Sequence, residues 1–347
     1  MRQHLRGALR TGMATLGMVV GHGAMAECAA PPAPVKDLDI PRFYGDAKGS
    51  VIEPKQKALH DAAVEPLAAF LRDVTNDADK AHRRTKFAEK QEAATCALVW
   101  ISAWAKGDAW LGRMAQAQAE YQRKWDLAGV ALAYLKVKPF ATPEQRRIIE
   151  PWLMRFADAS RAFFDDRSHK RNNHWYWLGL AIGATALATD SDRHWQIARG
   201  IMTDAARDIA ADGTLAMEIE RGGRAIHYHA FAVMPLVVLA ELGRARGEDW
   251  YALNDGALNR LVDVTLAGFA DPTIFDRLAR VPQQRPVDRS AGAGWLQLYE
   301  IRHADRLKGK TLPQMKAGHR WIGGDVMVLD AVLSRAAAHA STNPPKL

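Results

Sequence analysis

From about residue 58 to residue 303, apolar residues recur at three- and four-residue spacing in one segment after another, and convincing two-residue alternation is nearly absent. The first pattern is that of an α-helix burying one face; half-buried strands would need the second. It predicts helices over Ala58–Val74, Lys90–Ala105, Met114–Val137, Pro143–Phe164, Trp175–Ala188, Arg193–Ala210, Ala225–Arg246, Leu258–Phe269 and Gly294–His303. Thr142-Pro143-Glu144-Gln145 supplies an N-cap, a proline in the first turn and a capping glutamine, and Asp190 or Ser191 can cap the helix that follows. The fold class is therefore all-α, with consecutive antiparallel hairpins too numerous for a four-helix bundle. Such arrays close into an α/α toroid or stack as a solenoid. Periodicity does not choose between the two, although no fixed repeat consensus is visible.

The chain begins with a basic stretch (Arg2, Arg6, Arg10), an apolar run from Met13 to Gly21 and Ala24-Met25-Ala26. These are the parts of an export leader cleaved after Ala26. The expected organisation is a leader at 1–26 and a single domain at 27–347, placed in the periplasm. No later segment reaches about eighteen uninterrupted apolar residues, so no membrane span is expected. Removing the leader leaves 44 basic against 39 acidic residues, a net charge of +5. That excess is compatible with a polyanionic substrate but lacks the dense basic stripe of a nucleic-acid binder. Cys28 and Cys96 are the two cysteines. In an oxidising compartment an even count suggests one disulfide, here tying a Pro-rich arm to a helix; the alternative is two separate thiols. Two polar stretches, Gly45–Lys55 and Thr75–Lys90, interrupt the periodicity and read as lids over a cleft or as solvated surface.

Chemistry-bearing residues gather in two places. Asn172-Asn173-His174 precedes the apolar segment that starts at Trp175. One asparagine serves as an N-cap. The second amide and the imidazole exceed what capping needs and suit an oxyanion at a helix amino end. The second group is Arg221, Arg224 and Tyr228. Arg224 and Tyr228 are four apart and share a helical face, and two guanidiniums beside a phenol are expected to lower its pKa. A phenol tuned in that way can accept and return a proton; a plain core tyrosine is the structural alternative. His227 and His229 are two apart, on different faces, so they do not make a metal site, and no C-x-x-C zinc pattern occurs. Among eleven tryptophans, Trp125, Trp175 and Trp177 lie beside polar clusters, where rings can stack on sugars while cations grip carboxylates.

Lys170–Trp177 ("KRNNHWYW") and Arg221–Leu236 ("RGGRAIHYHAFAVMPL") resemble the K-x-N-N-H-x-Y-W and R-x-x-R-A-L-x-Y-H-x-x-A-x-x-P-L blocks of the poly-mannuronate (alginate) lyases, polysaccharide lyase family 5. Cys96–Ala105, Arg123–Trp125, Arg320–Asp325 and the "ECAAPPAP" arm are similar to further family segments, in the same order along the chain. The resemblance implies an incomplete α/α toroid with a deep cleft, a Cys28–Cys96 bridge, no cofactor and alginate as partner, with the alginate export machinery as a second one. It also implies β-elimination, with Asn173, His174 and Arg221 around the uronate carboxylate and Asn172 structural. Tyr228 would take the C5 proton and return one to O4, with His174 as an alternative base, particularly for guluronate. Trp125, Trp177 and Arg224 would bind sugar, joined by Tyr44 and Arg84 from the polar stretches. This sequence departs from the pattern at Gly222-Gly223 and Trp175.

Two rivals share the helical scaffold. An inverting hydrolase would need a carboxylate pair, for which Asp212, Glu218 and Glu220 are near in sequence. A non-catalytic uronate-binding protein would have no use for a tuned phenol.

Overall fold

In the computed structural model, residues 28–165, 171–287, 294–314 and 316–342 are described. The expected leader lies outside them. Among the described residues the chain is helical nearly throughout, with one short hairpin, β1 (Gly318–His319) and β2 (Gly324–Asp325).

The helices run α1 (Pro54–Arg83), α2 (Phe87–Lys106), α3 (Ala117–Val137), α4 (Pro143–Phe164), α5 (Asn173–Thr189), α6 (Asp192–Asp208), α7 (Ala216–Ile219), α8 (Ala225–Ala245), α9 (Leu253–Ala270), α10 (Thr273–Ala279), α11 (Trp295–Leu307) and α12 (Val326–Thr342). Helix α4 starts as expected: Thr142 Oγ accepts from Gln145 N at 3.2 Å and Gln145 Oε1 accepts from Thr142 N at 2.9 Å. α1 packs on α3, α3 on α5 and α5 on α8, forming an inner layer. α2, α4, α6 and α9 cover that layer from outside, and α11 and α12 pack on α8. The division follows from sequence. α5 contains no Asp, Glu, Lys or Arg and is buried along most of its length, as befits a helix surrounded on all sides. α4 and α6 bury one face only. The Gly222–Ala245 stretch is long and apolar enough to cross a membrane, and it runs through this core.

The arm is fastened as expected. Cys28 and Cys96 form a disulfide between the arm and α2. Trp100 Nε1 donates to Ala29 O at 2.7 Å and Trp104 Nε1 to Pro32 O at 2.9 Å. One expectation fails. Thr75–Lys90 is no lid: residues 75–83 complete α1 and 87–90 open α2. Ala78 and Ala81 are buried while Lys80 pairs with Asp77 on the outer face. Small apolar residues between charges hid a two-faced helix.

The hairpin near the carboxyl end is held by a buried ion pair. Lys136, fully buried on α3, donates to Asp79 Oδ1 at 2.5 Å, Gly323 O at 2.6 Å and Asp325 O at 3.0 Å. Asp79 Oδ2 accepts from Asp325 N at 2.8 Å. Gly129 permits the close approach, since a Cβ there would lie 2.3 Å from Arg320 O. Lys136→Met is expected to leave Asp79 buried and unpaired and to cost about 3–5 kcal/mol, read from urea unfolding. A loss below about 1 kcal/mol would show that this pair does not fasten the hairpin.

Candidate active site

The inner helices deliver residues from their first turns to one cavity of about 1370 Å³. α1 contributes Lys57, His60 and Asp61; α3 contributes Tyr121 and Trp125; Asn172 and His174 come from the start of α5; Arg224, His227, Tyr228 and Phe231 come from the start of α8. Four helix amino ends, with their positive dipole ends, therefore face one space. Side chains reinforce the sign. Seven Arg or Lys residues line the cavity (Arg42, Lys48, Lys57, Arg221, Arg224, Lys316, Arg320) against two carboxylates, Asp61 and Glu220. The mild excess of the whole chain is concentrated here, which suits an anionic ligand.

Tyr228 is 6% exposed and lies under the loop between Tyr44 and Ile52. Its hydroxyl donates 3.0 Å to Gly49 O and lies 2.9 Å from the Tyr44 hydroxyl. Arg221 lies over the Tyr228 ring, 4.2 Å from its centroid, and donates to Lys48 O at 2.5 Å; Arg224 donates to the Tyr44 hydroxyl at 3.1 Å. The loop is a compact turn built on Asp46, which accepts from Ser50 N and Val51 N, each at 2.8 Å. Burial pushes that carboxyl up, but the hydrogen bonds from Ser50 and Val51 outweigh it and hold it at about 2. Gly49 has φ +68°, and a Cβ there would meet Arg221 at 2.8 Å and the Tyr228 hydroxyl at 3.2 Å. Only glycine fits at this contact. One expectation is corrected here. The two guanidiniums are beside the phenol, yet its pKa is raised, because burial and Tyr44 outweigh Arg221 and Arg224.

His174 stacks on Tyr121, centroids 3.8 Å apart, and its Nδ1 lies 3.1 Å from Lys124 Nζ. Asn172 caps α5, accepting from His174 N at 3.0 Å, and also lines the cavity. Asn173 does not line it. Its side chain is fully buried, and Nδ2 donates to both oxygens of Glu218, at 3.0 and 3.1 Å. Its backbone N donates to Glu218 Oε1 at 2.6 Å. Glu218 also lies 3.7 Å from Arg221 Nε. One buried carboxylate thus ties the start of α5 to the segment before α8. Burial raises its pKa against the pull of Arg221 and Asn173.

Other candidates are redistributed. Trp125 lines the cavity and stacks on Trp321, centroids 4.6 Å apart. Trp177 is fully buried behind Phe231, donating to Phe231 O at 3.1 Å, so it is core and not a sugar platform. Arg84 is exposed just past the far end of α1, whose first turns meet the cavity, and it does not line the site. Tyr44 and Arg224 do. Of the carboxylates considered for hydrolysis, Glu220 reaches the cavity, Glu218 is buried beneath it, and Asp212 is occupied by Thr214 in a turn, accepting from its N at 3.0 Å. His227 lines the cavity, whereas His229 is buried on another face of α8. Sequence reasoning missed Lys316, His319 and Arg320 as site residues. Trp321 escaped it too, although the Arg320–Asp325 similarity already pointed at that turn.

The alginate lyase family model matches residues 42–275, more than half the chain and including both motif blocks. The chain belongs to the alginate lyase family. It is 40% identical over 294 residues to a polysaccharide lyase of Stenotrophomonas maltophilia (strain K279a), covering 83% of this chain and 86% of the relative. It is 34% identical over 264 residues to an alginate lyase of Pseudomonas fluorescens Pf-5, covering 72% and 69%. Among solved structures, a His-to-Ala variant of alginate lyase A1-III, from Sphingomonas species A1, in complex with a tetrasaccharide is similar. It superposes with a TM-score of 0.74 at 25% identity, covering 88% of this chain and 86% of the other. The fold is thus the α/α toroid that the resemblance implied.

This family member carries a buried histidine next to its central tyrosine. His229 Nε2 accepts from Leu215 N at 3.0 Å and its Nδ1 donates to Ala225 O at 2.8 Å, so the neutral ring satisfies both partners. Burial lowers its pKa to about 4 from 6.5. Between those values the unfolded chain binds a proton that the folded one does not, so stability rises with pH across the window and is lost on acidification. The expected loss between about pH 6.5 and 4 is roughly 3 kcal/mol from this group. Urea unfolding at several pH values should show a flatter slope in His229→Gln; an unchanged slope would remove His229 from the account.

Proposed function

We propose that this protein cleaves 4-linked mannuronate in alginate by β-elimination without a metal, leaving a 4,5-unsaturated uronate at the new end. The reading rests on one observation above all: His174 from one stretch of the chain and Arg221 and Tyr228 from another share one cation-lined cavity. The proton to be removed, at C5, is α to an ionised carboxylate. Its removal builds further negative charge on that group, so the chemistry needs preplaced positive charge and hydrogen-bond donors. Arg221 and His174 supply them, near the amino ends of α5 and α8. Asn173 supports them from below through Glu218 and does not itself touch the sugar.

Tyr228 serves at C5 and O4. In mannuronate the C5 hydrogen and the departing oxygen lie on the same side, so one phenol can take the proton and give one back. At rest the phenol is protonated and bonded to Gly49 O. A sugar entering this space displaces the loop carbonyls from Tyr228 and Arg221. The phenol then keeps its two guanidinium neighbours and loses an acceptor that favours its protonated form, so it releases its hydroxyl proton to solvent, takes the C5 proton as phenolate and passes that proton to the departing O4. Trp125, Trp321 and Tyr44 would form the walls that receive neighbouring sugars. The leader read at residues 1–26 would place the protein in the periplasm, with the alginate export machinery as a partner there.

Turnover of poly-mannuronate is expected to raise ultraviolet absorbance as the conjugated product forms, and EDTA should leave the rate unchanged. Tyr228→Phe should lower kcat by roughly 10³-fold or more with the circular dichroism spectrum retained. Release of reducing ends without the chromophore would favour hydrolysis, and near-wild-type turnover by the variant would contradict the role given to Tyr228.

A further inference from the structure

Lys124 is the unusual residue beneath this site. It lies on α3 between two aromatic residues of the cavity wall, yet it is fully buried and does not line the cavity. Its ammonium group is boxed by rings: Nζ lies 4.1 Å from the Trp125 centroid, 4.9 Å from Tyr121 and 5.6 Å from Phe164. Its polar contacts are Tyr121 O at 3.2 Å and His174 Nδ1 at 3.1 Å. A lysine side chain ordinarily reaches solvent, and complete burial is costly unless a partner justifies it. A carboxylate would be the ordinary partner. Glu120, one turn back, is instead paired with Arg123, and Asp126 is bonded to Gln122 and Trp110.

We propose that Lys124 is a positioning residue that fixes the tautomer of His174: it donates to Nδ1, so the neutral imidazole carries its proton on Nε2 and meets the cavity as an N–H donor. A charged ammonium has three hydrogens and no acceptor, so it can only donate to Nδ1. Burial lowers the Lys124 pKa well below its usual value, with Glu120 and Asp126 opposing, and a neutral amine would keep hydrogens to donate while gaining a lone pair. An N–H donor is what a uronate carboxylate requires; a lone pair aimed at it would repel. The stacking on Tyr121 fixes the plane of the ring, and Lys124 fixes which edge bears the proton. This deepens the proposed elimination and rests on it for its meaning, but its test does not require turnover.

The direct measurement is nitrogen NMR of the ligand-free protein labelled at histidine, with His174 assigned by its absence in His174→Ala. At neutral pH the expected spectrum shows an unprotonated Nδ1 and a protonated Nε2. A protonated Nδ1, or a fully protonated ring, would overturn the proposal whatever the enzyme acts on. Two variants separate positioning from packing. Lys124→Gln keeps an N–H donor; Lys124→Met keeps apolar volume and suits the aromatic box better. Positioning predicts that Gln retains more kcat than Met, with Met reduced by up to about 10⁴-fold, the cost of a wrong histidine tautomer elsewhere. Met at or above Gln would mean that Lys124 only fills space. If Lys124→Met fails to fold, the wild-type spectrum still decides.

Discussion

The inner helices run in the same direction. Because α1, α3, α5 and α8 all present their amino ends to one mouth, positive dipole ends meet there before any side chain is considered. The helix order imposes this: each inner helix is followed by an outer helix that returns the chain, so successive inner helices start at the same end. The side chains build on that polarity. Seven Arg or Lys residues line the cavity, and the buried carboxylates at its floor, Glu218 among them, orient cations and amides without facing the ligand.

The floor of the site is the part that most resembles a designed network. Glu218 joins Asn173 to Arg221, and Lys124 joins the aromatic wall of α3 to His174. Each is a buried ionisable group held by hydrogen bonds, and each touches a residue that meets the cavity or supports one that does. Such groups weaken a fold unless they are satisfied. Their cost is offset by the apolar mass of α5 and α8 around them. The loop at 45–51 closes the other side, where carbonyl oxygens of Lys48 and Gly49 occupy Arg221 and Tyr228. In the resting protein these oxygens take the donors that an anionic sugar would otherwise meet.

The fold was largely legible because helical periodicity reports burial directly. The capping box at Thr142 and the Asn172 cap were visible as residue types at fixed spacing. The failures have a common physical origin: sequence shows which charges are present and not how deeply they are buried. The arginines beside Tyr228 and a candidate lid at Gly45–Lys55 were readable, but not that the carbonyls of this loop bury the phenol hydroxyl, so the direction of its pKa shift came out reversed. Trp125 and Trp177 look alike in sequence; packing makes one a wall and the other core. Nothing in its sequence neighbours sets Lys124 apart, and its burial follows only from the helices around it. The hairpin bearing His319 to Trp321 has strands of two residues each, too short for any period to register.

The most direct test of the central claim is a crystal structure of Tyr228→Phe protein with a mannuronate tetrasaccharide. The expected result is one sugar carboxylate within hydrogen-bond distance of both His174 and Arg221, C5 of that sugar beside the ring at 228, and the Gly49 carbonyl displaced. A sugar chain seated elsewhere in the cavity, with its carboxylates on other cations and the Gly49 contact intact, would contradict it.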